Sequence, residues 1–138
     1  MLTPVNIESR FDDVTELWSP KVIGRVNDQY VKIARLQGEF VWHSHEDEDE
    51  LFQVIRGTMR IQLEDGDVTL GPGELVVVPR GVRHNPVAAE ECWVMLIEPV
   101  STKHTGDVVS ERTRSIEEQL GEAKRRTDAP PAGDAASR

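Results

Sequence analysis

The sequence predicts an all-β barrel or sandwich with a short helix at each end. Three observations carry that reading. From Lys21 onward, runs rich in Val, Ile, Leu and aromatics alternate with Gly, Asp, Asn and Pro roughly every ten residues, the rhythm of an all-β domain. The 138 residues suit one domain, which at this size needs no disulfide to fold. No repeat of solenoid period interrupts the pattern.

The elements follow in order. Ile7, Phe11, Val14 and Leu17/Trp18 lie at spacings of three and four, the stripe of an amphipathic helix broken at Ser19-Pro20. Residues 1–20 are thus expected as an N-terminal helical segment. The barrel is expected over 21–107. Its strands are Val22–Val26, Gln29–Gln37, Phe40–His45, Leu51–Arg56, Thr58–Leu63, Asp67–Leu70, Leu75–Val78, His84–Val87 and Cys92–Glu98. Glu64-Asp65-Gly66-Asp67 forms a hairpin turn, and Gly71-Pro72-Gly73 and Pro79-Arg80-Gly81 are breaks. Within 108–126, Ser115-Ile116-Glu117-Glu118 has capping-box spacing and opens a C-terminal helix reaching about Arg126. Its apolar stripe is only Ile116 and Leu120. Residues 127–138 have too little apolar surface to offset ordering entropy and are expected as a disordered tail.

Charge and composition narrow the function. The net charge of −9, with no basic stripe, disfavours nucleic acid as a partner. No apolar run is long enough to span a bilayer, and the N-terminus lacks a signal-peptide pattern. The single cysteine, Cys92, permits no intrachain disulfide and fits a reducing compartment. A cytoplasmic protein without a membrane partner is expected.

The chemistry concentrates in Trp42-His43-Ser44-His45-Glu46-Asp47-Glu48-Asp49-Glu50-Leu51-Phe52. On an extended chain His43 and His45 point the same way and can grip one ion. A short acidic loop, read as solvated, returns Glu50 beside them. A charge there, at the mouth of an apolar interior, is costly unless paired or bound to metal. His84, after the Pro79-Arg80-Gly81 turn, supplies a third imidazole. Three imidazoles and one carboxylate suit Mn, Fe, Ni, Cu or Zn better than Mg or Ca. One cysteine excludes a thiolate-rich structural zinc site. Four protein ligands on an ion that prefers six leave open positions, as a catalytic metal requires.

These residues resemble the cupin superfamily. Gly38, His43-Ser44-His45, Glu50 and Gly57 are similar to its first motif, and Gly73, Pro79-Arg80-Gly81 and His84 to its second. The resemblance spans Val22 to Pro99. Phe11 to Trp18-Ser19-Pro20, Gly38 to His43, and Glu98-Pro99 through Thr105-Gly106-Asp107 resemble small single-domain members labelled mannose-6-phosphate-isomerase-like. That label reflects fold kinship, not sugar isomerisation. The resemblance implies a jelly-roll (double-stranded β-helix) barrel. It also implies His43, His45, Glu50 and His84 as ligands of one divalent transition metal (Mn, Fe, Ni or Zn), and a homodimer. Gly57 and Gly81 would serve turns. Two departures stand out: Gly38 is one residue closer to His43 than usual, and Ala88 replaces the customary asparagine, with Asn85 beside His84 instead.

The expected function is a metal-dependent enzyme acting on a small polar or oxygenated molecule, of dioxygenase or isomerase/lyase type. The alternative is a non-catalytic cupin that binds a small ligand or senses a metal. No catalytic residue is named. Arg83 and Gln53 are expected at exposed strand edges rather than on substrate, and Trp42 and Trp93 in packing.

Overall fold

The computed structural model describes residues 2–121. One α-helical turn, α1 (Ile7–Arg10), runs into a 3-10 turn at Phe11–Asp13. Seven strands follow among the described residues: β1 (Lys21–Val26), β2 (Gln29–Glu39), β3 (Glu50–Arg56), β4 (Met59–Leu63), β5 (Gly66–Leu70), β6 (Leu75–Val78) and β7 (His84–Pro99). A second helix, α2, covers 116–121.

All pairings between these strands are antiparallel. β7 is the hub. It pairs with β2 along most of its length, from Glu39↔Val87 to Gln29↔Pro99. On its other edge its first residues pair with β4 and its last with β3. With order β1-β2-β7-β3-β6 and the β4–β5 hairpin on the remaining stretch of β7, the sheet bends over itself into a jelly roll. The register slips between Leu36 and Gly38 on β2 and between Val54 and Arg56 on β3, and such irregularities bend strands. Gly57 sits at the second bend with φ 84°. A Cβ there would lie 2.8 Å from the Glu91 carbonyl oxygen, so the close approach requires glycine.

Alternate residues of these strands fill the interior: Ala34 and Leu36 on β2, Phe52 and Val54 on β3, Met59 and Ile61 on β4, Val94 and Leu96 on β7. A smaller cluster on the outer face joins Phe11, Val14, Ile23 and Ile33. Phe11 stacks on Trp93 at 4.5 Å, the packing role expected of that tryptophan. Trp42, expected to pack, is 37% exposed.

Several element boundaries differ from expectation. The N-terminal helix is a single turn, capped by the Asn6 side chain, which accepts from the Ser9 amide. The apolar stripe is used to cover the sheet rather than to extend a helix. Beyond it Leu17 bridges to Arg35, and Trp18 turns into the barrel, its indole N–H donating to Gln37 O at 2.9 Å. Phe40–His45 is not a strand. It makes one bridge, His43 to His84, because the β2–β7 ladder ends at Glu39. The two strands expected at His84–Val87 and Cys92–Glu98 are one, since β2 pairs on either side of the exposed residues between them.

The capping box forms as expected: the Glu118 amide donates to Ser115 Oγ, and Glu118 Oε1 accepts from the Ser115 amide. The buried contact of α2 is Gln119, however, while Ile116 and Leu120 are only partly covered. The expected continuation to Arg126 and the expected tail lie outside the described residues.

Candidate metal centre

His43 and His45 keep their shared orientation without a strand ladder. Both are buried, at 1% and 4% exposure, although Trp42 between β2 and the pair is exposed. His43 and His84 are held opposite each other by two backbone bonds, His43 N–H to His84 O and His84 N–H to His43 O. The Gly81 amide donates to His45 O at 2.7 Å, tying the second histidine to the turn that precedes the third. Glu50 is the first residue of β3, opposite Val78 on β6. The acidic loop before it has structural work beyond solvation. Asp49 Oδ1 accepts from the Arg80 amide at 2.9 Å, and Glu48 Oε2 accepts from Ser101 Oγ at 2.8 Å.

These constraints bring His43, His45, Glu50 and His84 together, one potential ligand atom from each, all within 4.8 Å of one another. The rings of His43 and His84 are oriented by backbone. Nδ1 of His43 lies 2.8 Å from Val41 O, and Nδ1 of His84 lies 2.9 Å from Val82 O. A carbonyl only accepts, so Nδ1 carries the proton and donates, leaving the Nε2 lone pair for an ion.

The donor set fits a cation. Both ring nitrogens of His45 are buried without a hydrogen-bond partner among the described residues. One carboxylate oxygen of Glu50 sits 3.2 Å from His84 Nε2 and 3.4 Å from His45 Nε2. Facing lone pairs at these distances require a proton or a cation between them. Burial, reinforced by the charge of His84, lowers the His43 pKa to about 4. Burial alone would raise Glu50, but the His45 and His84 imidazoles beside it outweigh that and hold the carboxyl well below its usual range. An unprotonated His43 ring beside an ionised Glu50 is what a metal ion requires of these two ligands.

Asp47 is exposed and outside this cluster. Asp47→Asn is expected to leave metal content per chain unchanged in elemental analysis, and its loss would place Asp47 among the ligands. Arg83 is exposed, as expected, and Gln53 is half-buried on the outer face of β3. Asn85 donates from Nδ2 to Gln62 Oε1 at 3.0 Å, tying β7 to β4. Cys92 is fully buried, and burial raises its pKa to about 11, so the thiol is a packing residue rather than a nucleophile.

Beside the cluster lies a small pocket open to solvent, with His43 and Glu50 in its wall. Trp18, Leu36, Phe40, Phe52 and Leu96 make most of it apolar. Lys32, Glu98 and His104 make one part polar, and sequence reading assigned none of them a role. Lys32 Nζ donates to Glu98 Oε2 at 2.9 Å, with both side chains buried. Burial and the neighbouring charge of Glu50 push Glu98 well above the usual carboxylate range, against the pull of Lys32. A lysine on a strand reads as solvent-facing. Only its alternation with buried Ala34 and Leu36 marks Lys32 as inward.

His104 packs against the Phe40 ring, and its Nδ1 accepts from the Arg114 amide at 2.8 Å. Burial, helped by the Lys32 charge, lowers its pKa to about 4 from 6.5. The unfolded chain therefore binds the extra proton first, and stability falls as pH drops from about 6.5 to about 4. The loss is expected to be at most about 3 kcal/mol for this half-buried group. Denaturant titrations across that range should show the slope, and His104→Gln should flatten it. An unchanged slope in the variant would assign the acid loss to other groups.

The comparisons with known proteins agree with this geometry. The family profile described as "Cupin domain" matches residues 30–98. Bacillus subtilis YdbB is 34% identical over 80 residues, which are 57% of this chain and 71% of that protein. Among solved structures, a cupin-2 domain containing protein from Shewanella frigidimarina is 46% identical with TM-score 0.68. That match covers 69% of this chain and 93% of that one. NMB1881 from Neisseria meningitidis is 30% identical with TM-score 0.65, covering 70% and 99%.

Proposed function

Because this chain belongs to the cupin family, we propose that it is a small metal-dependent enzyme acting on a small polar or oxygenated molecule, by dioxygenase or isomerase/lyase chemistry. His43, His45, Glu50 and His84 would hold one divalent transition ion, Mn, Fe, Ni or Zn. The observation that carries the reading is the sharing of two of these residues, His43 and Glu50, between the four-residue cluster and the pocket wall. A ligand in the pocket thus lies against the metal residues, as a reacting molecule must.

Bound there, the ion would supply Lewis acidity and open coordination positions. The chain does the rest. The Val41 and Val82 carbonyls fix two imidazoles in the ligating tautomer. The Asp49 and Glu48 contacts hold the loop that delivers Glu50. The apolar walls give the reacting side of the cluster a lining of low polarity. Likeness to the mannose-6-phosphate-isomerase-like subgroup supports the fold and is not extended to sugar isomerisation.

We also propose a cytoplasmic homodimer. Leu75 and Val77, both exposed on the edge strand β6, offer apolar surface for that contact. No helix among the described residues is long and apolar enough to cross a membrane.

The test is to purify the protein anaerobically, identify its metal, and assay oxygen uptake and isomerisation over keto acids, sugars and phenols. Turnover that disappears with chelator supports the enzyme. Tight binding of one compound without product replaces it with the non-catalytic reading, a ligand-binding or metal-sensing cupin.

A further inference from the structure

Lys32, Glu98 and His104 give the pocket a polar end within otherwise apolar walls. Lys32 shares its inward row with Ala34 and Leu36 and pairs in register with Leu96, so an apolar residue would suit the site by packing alone. Buried ion pairs are weak devices for stability, because desolvation offsets their attraction. Placing this one in a pocket beside four potential metal ligands calls for another account.

The donors are oriented. Lys32 Nζ donates to Glu98 and to Gln119 of α2, and an ammonium has a third N–H with no acceptor assigned among the described residues. At His104 the Arg114 amide donates into Nδ1, so the proton of the neutral ring sits on Nε2, a second donor with no acceptor assigned among the described residues. Burial and Lys32 keep that ring neutral at physiological pH, with a pKa of about 4.

Charge points the same way. A divalent ion and Lys32 would bring three positive charges into this space, against at most two negative ones from Glu50 and Glu98. Protonation of Glu98 only increases the excess. A monoanion restores balance in a site where an uncompensated charge is costly.

We propose that Lys32 and His104 receive the carboxylate of a small organic acid, whose apolar part lies against Trp18, Phe40 and Phe52. The inference rests on the metal reading above and names the substrate class of that same site.

The test uses the full chain loaded with zinc, with metal content measured in every sample. Butyrate, butyramide and inorganic phosphate are titrated by calorimetry, with tryptophan fluorescence as a second readout. Butyrate should bind roughly tenfold or more tighter than butyramide, the effect of hydrogen bonds to a charged group. Lys32→Met should remove that preference while zinc content stays unchanged. Because Lys32→Met leaves Glu98 unpaired, Lys32→Met/Glu98→Leu repeats the test with an apolar pair. His104→Phe should weaken butyrate alone.

With zinc bound, equal affinity for butyramide overturns the inference, as does undiminished butyrate binding in the lysine variants or tighter binding of phosphate than of butyrate. Each of these leaves the metal reading standing. A wild-type chain that retains neither zinc nor Mn, Fe or Ni offered in its place overturns the metal reading and this inference with it.

Discussion

His45→Ala is expected to abolish stoichiometric metal binding in a chain that still folds. Outer-shell changes at metal sites already lower affinity about 10–100-fold, so removing a ligand itself should exceed that range. His45 is the sharpest choice because neither ring nitrogen has another partner among the described residues, whereas His43 and His84 also hold backbone carbonyls. Its removal leaves no orphaned carbonyl behind. Elemental analysis after gel filtration, with circular dichroism to verify folding, reads the result. Metal content equal to wild type would remove His45 from the ligand set.

Gly106→Ala should produce the second large effect, through position rather than ligation. A Cβ on Gly106 would lie 2.1 Å from Ser44 O and 3.1 Å from His43 Cδ2, with φ at +57°. The neighbour is backbone and cannot swing aside. The same segment clamps Ser44, whose N–H donates to Asp107 Oδ1 at 3.0 Å and whose carbonyl accepts from the Asp107 amide at 3.1 Å. Pushing Ser44 therefore moves His43 and His45 together. The variant is expected to lose about 2–4 kcal/mol of stability, from left-handed strain plus displaced backbone. Its metal affinity should fall at least about tenfold, as for other supporting residues. Gly38→Ala is the control, since its Cβ would meet nothing within 4 Å and only the φ of +83° is strained. If Gly106→Ala and Gly38→Ala behave alike in both readouts, the clamp has no special role.

What could be read from the chain divides by the range of the interactions involved. The strand rhythm, the capping box at Ser115 and the four clustered residues rest on local periodicity and fixed spacing, and each of those appears in the fold. His43 and His45 share a side because extended backbone alternates, with or without a neighbouring strand. Tertiary contacts decide the remainder. The stripe of Ile7, Phe11 and Val14 satisfies helical spacing, but it is spent in covering the outer face, so the helix stops at Arg10. The segment Phe40–His45 has strand composition, yet only His43 finds a bridge partner. Lys32 drew no reading from the sequence, because burial of its charge depends on Glu98, 66 residues away, and on Gln119, 87 residues away. Thr105-Gly106-Asp107 was visible as a likeness, but only coordinates show it seated on Ser44.

The measurement that bears most directly on the account is anomalous diffraction from crystals of freshly purified protein, collected on either side of the absorption edge of the metal identified by elemental analysis. One peak is expected, about 2.0–2.3 Å from the Nε2 atoms of His43 and His84, a ring nitrogen of His45 and a carboxylate oxygen of Glu50. A peak bound by other residues, or a stoichiometric metal with no density among these four side chains, would contradict it.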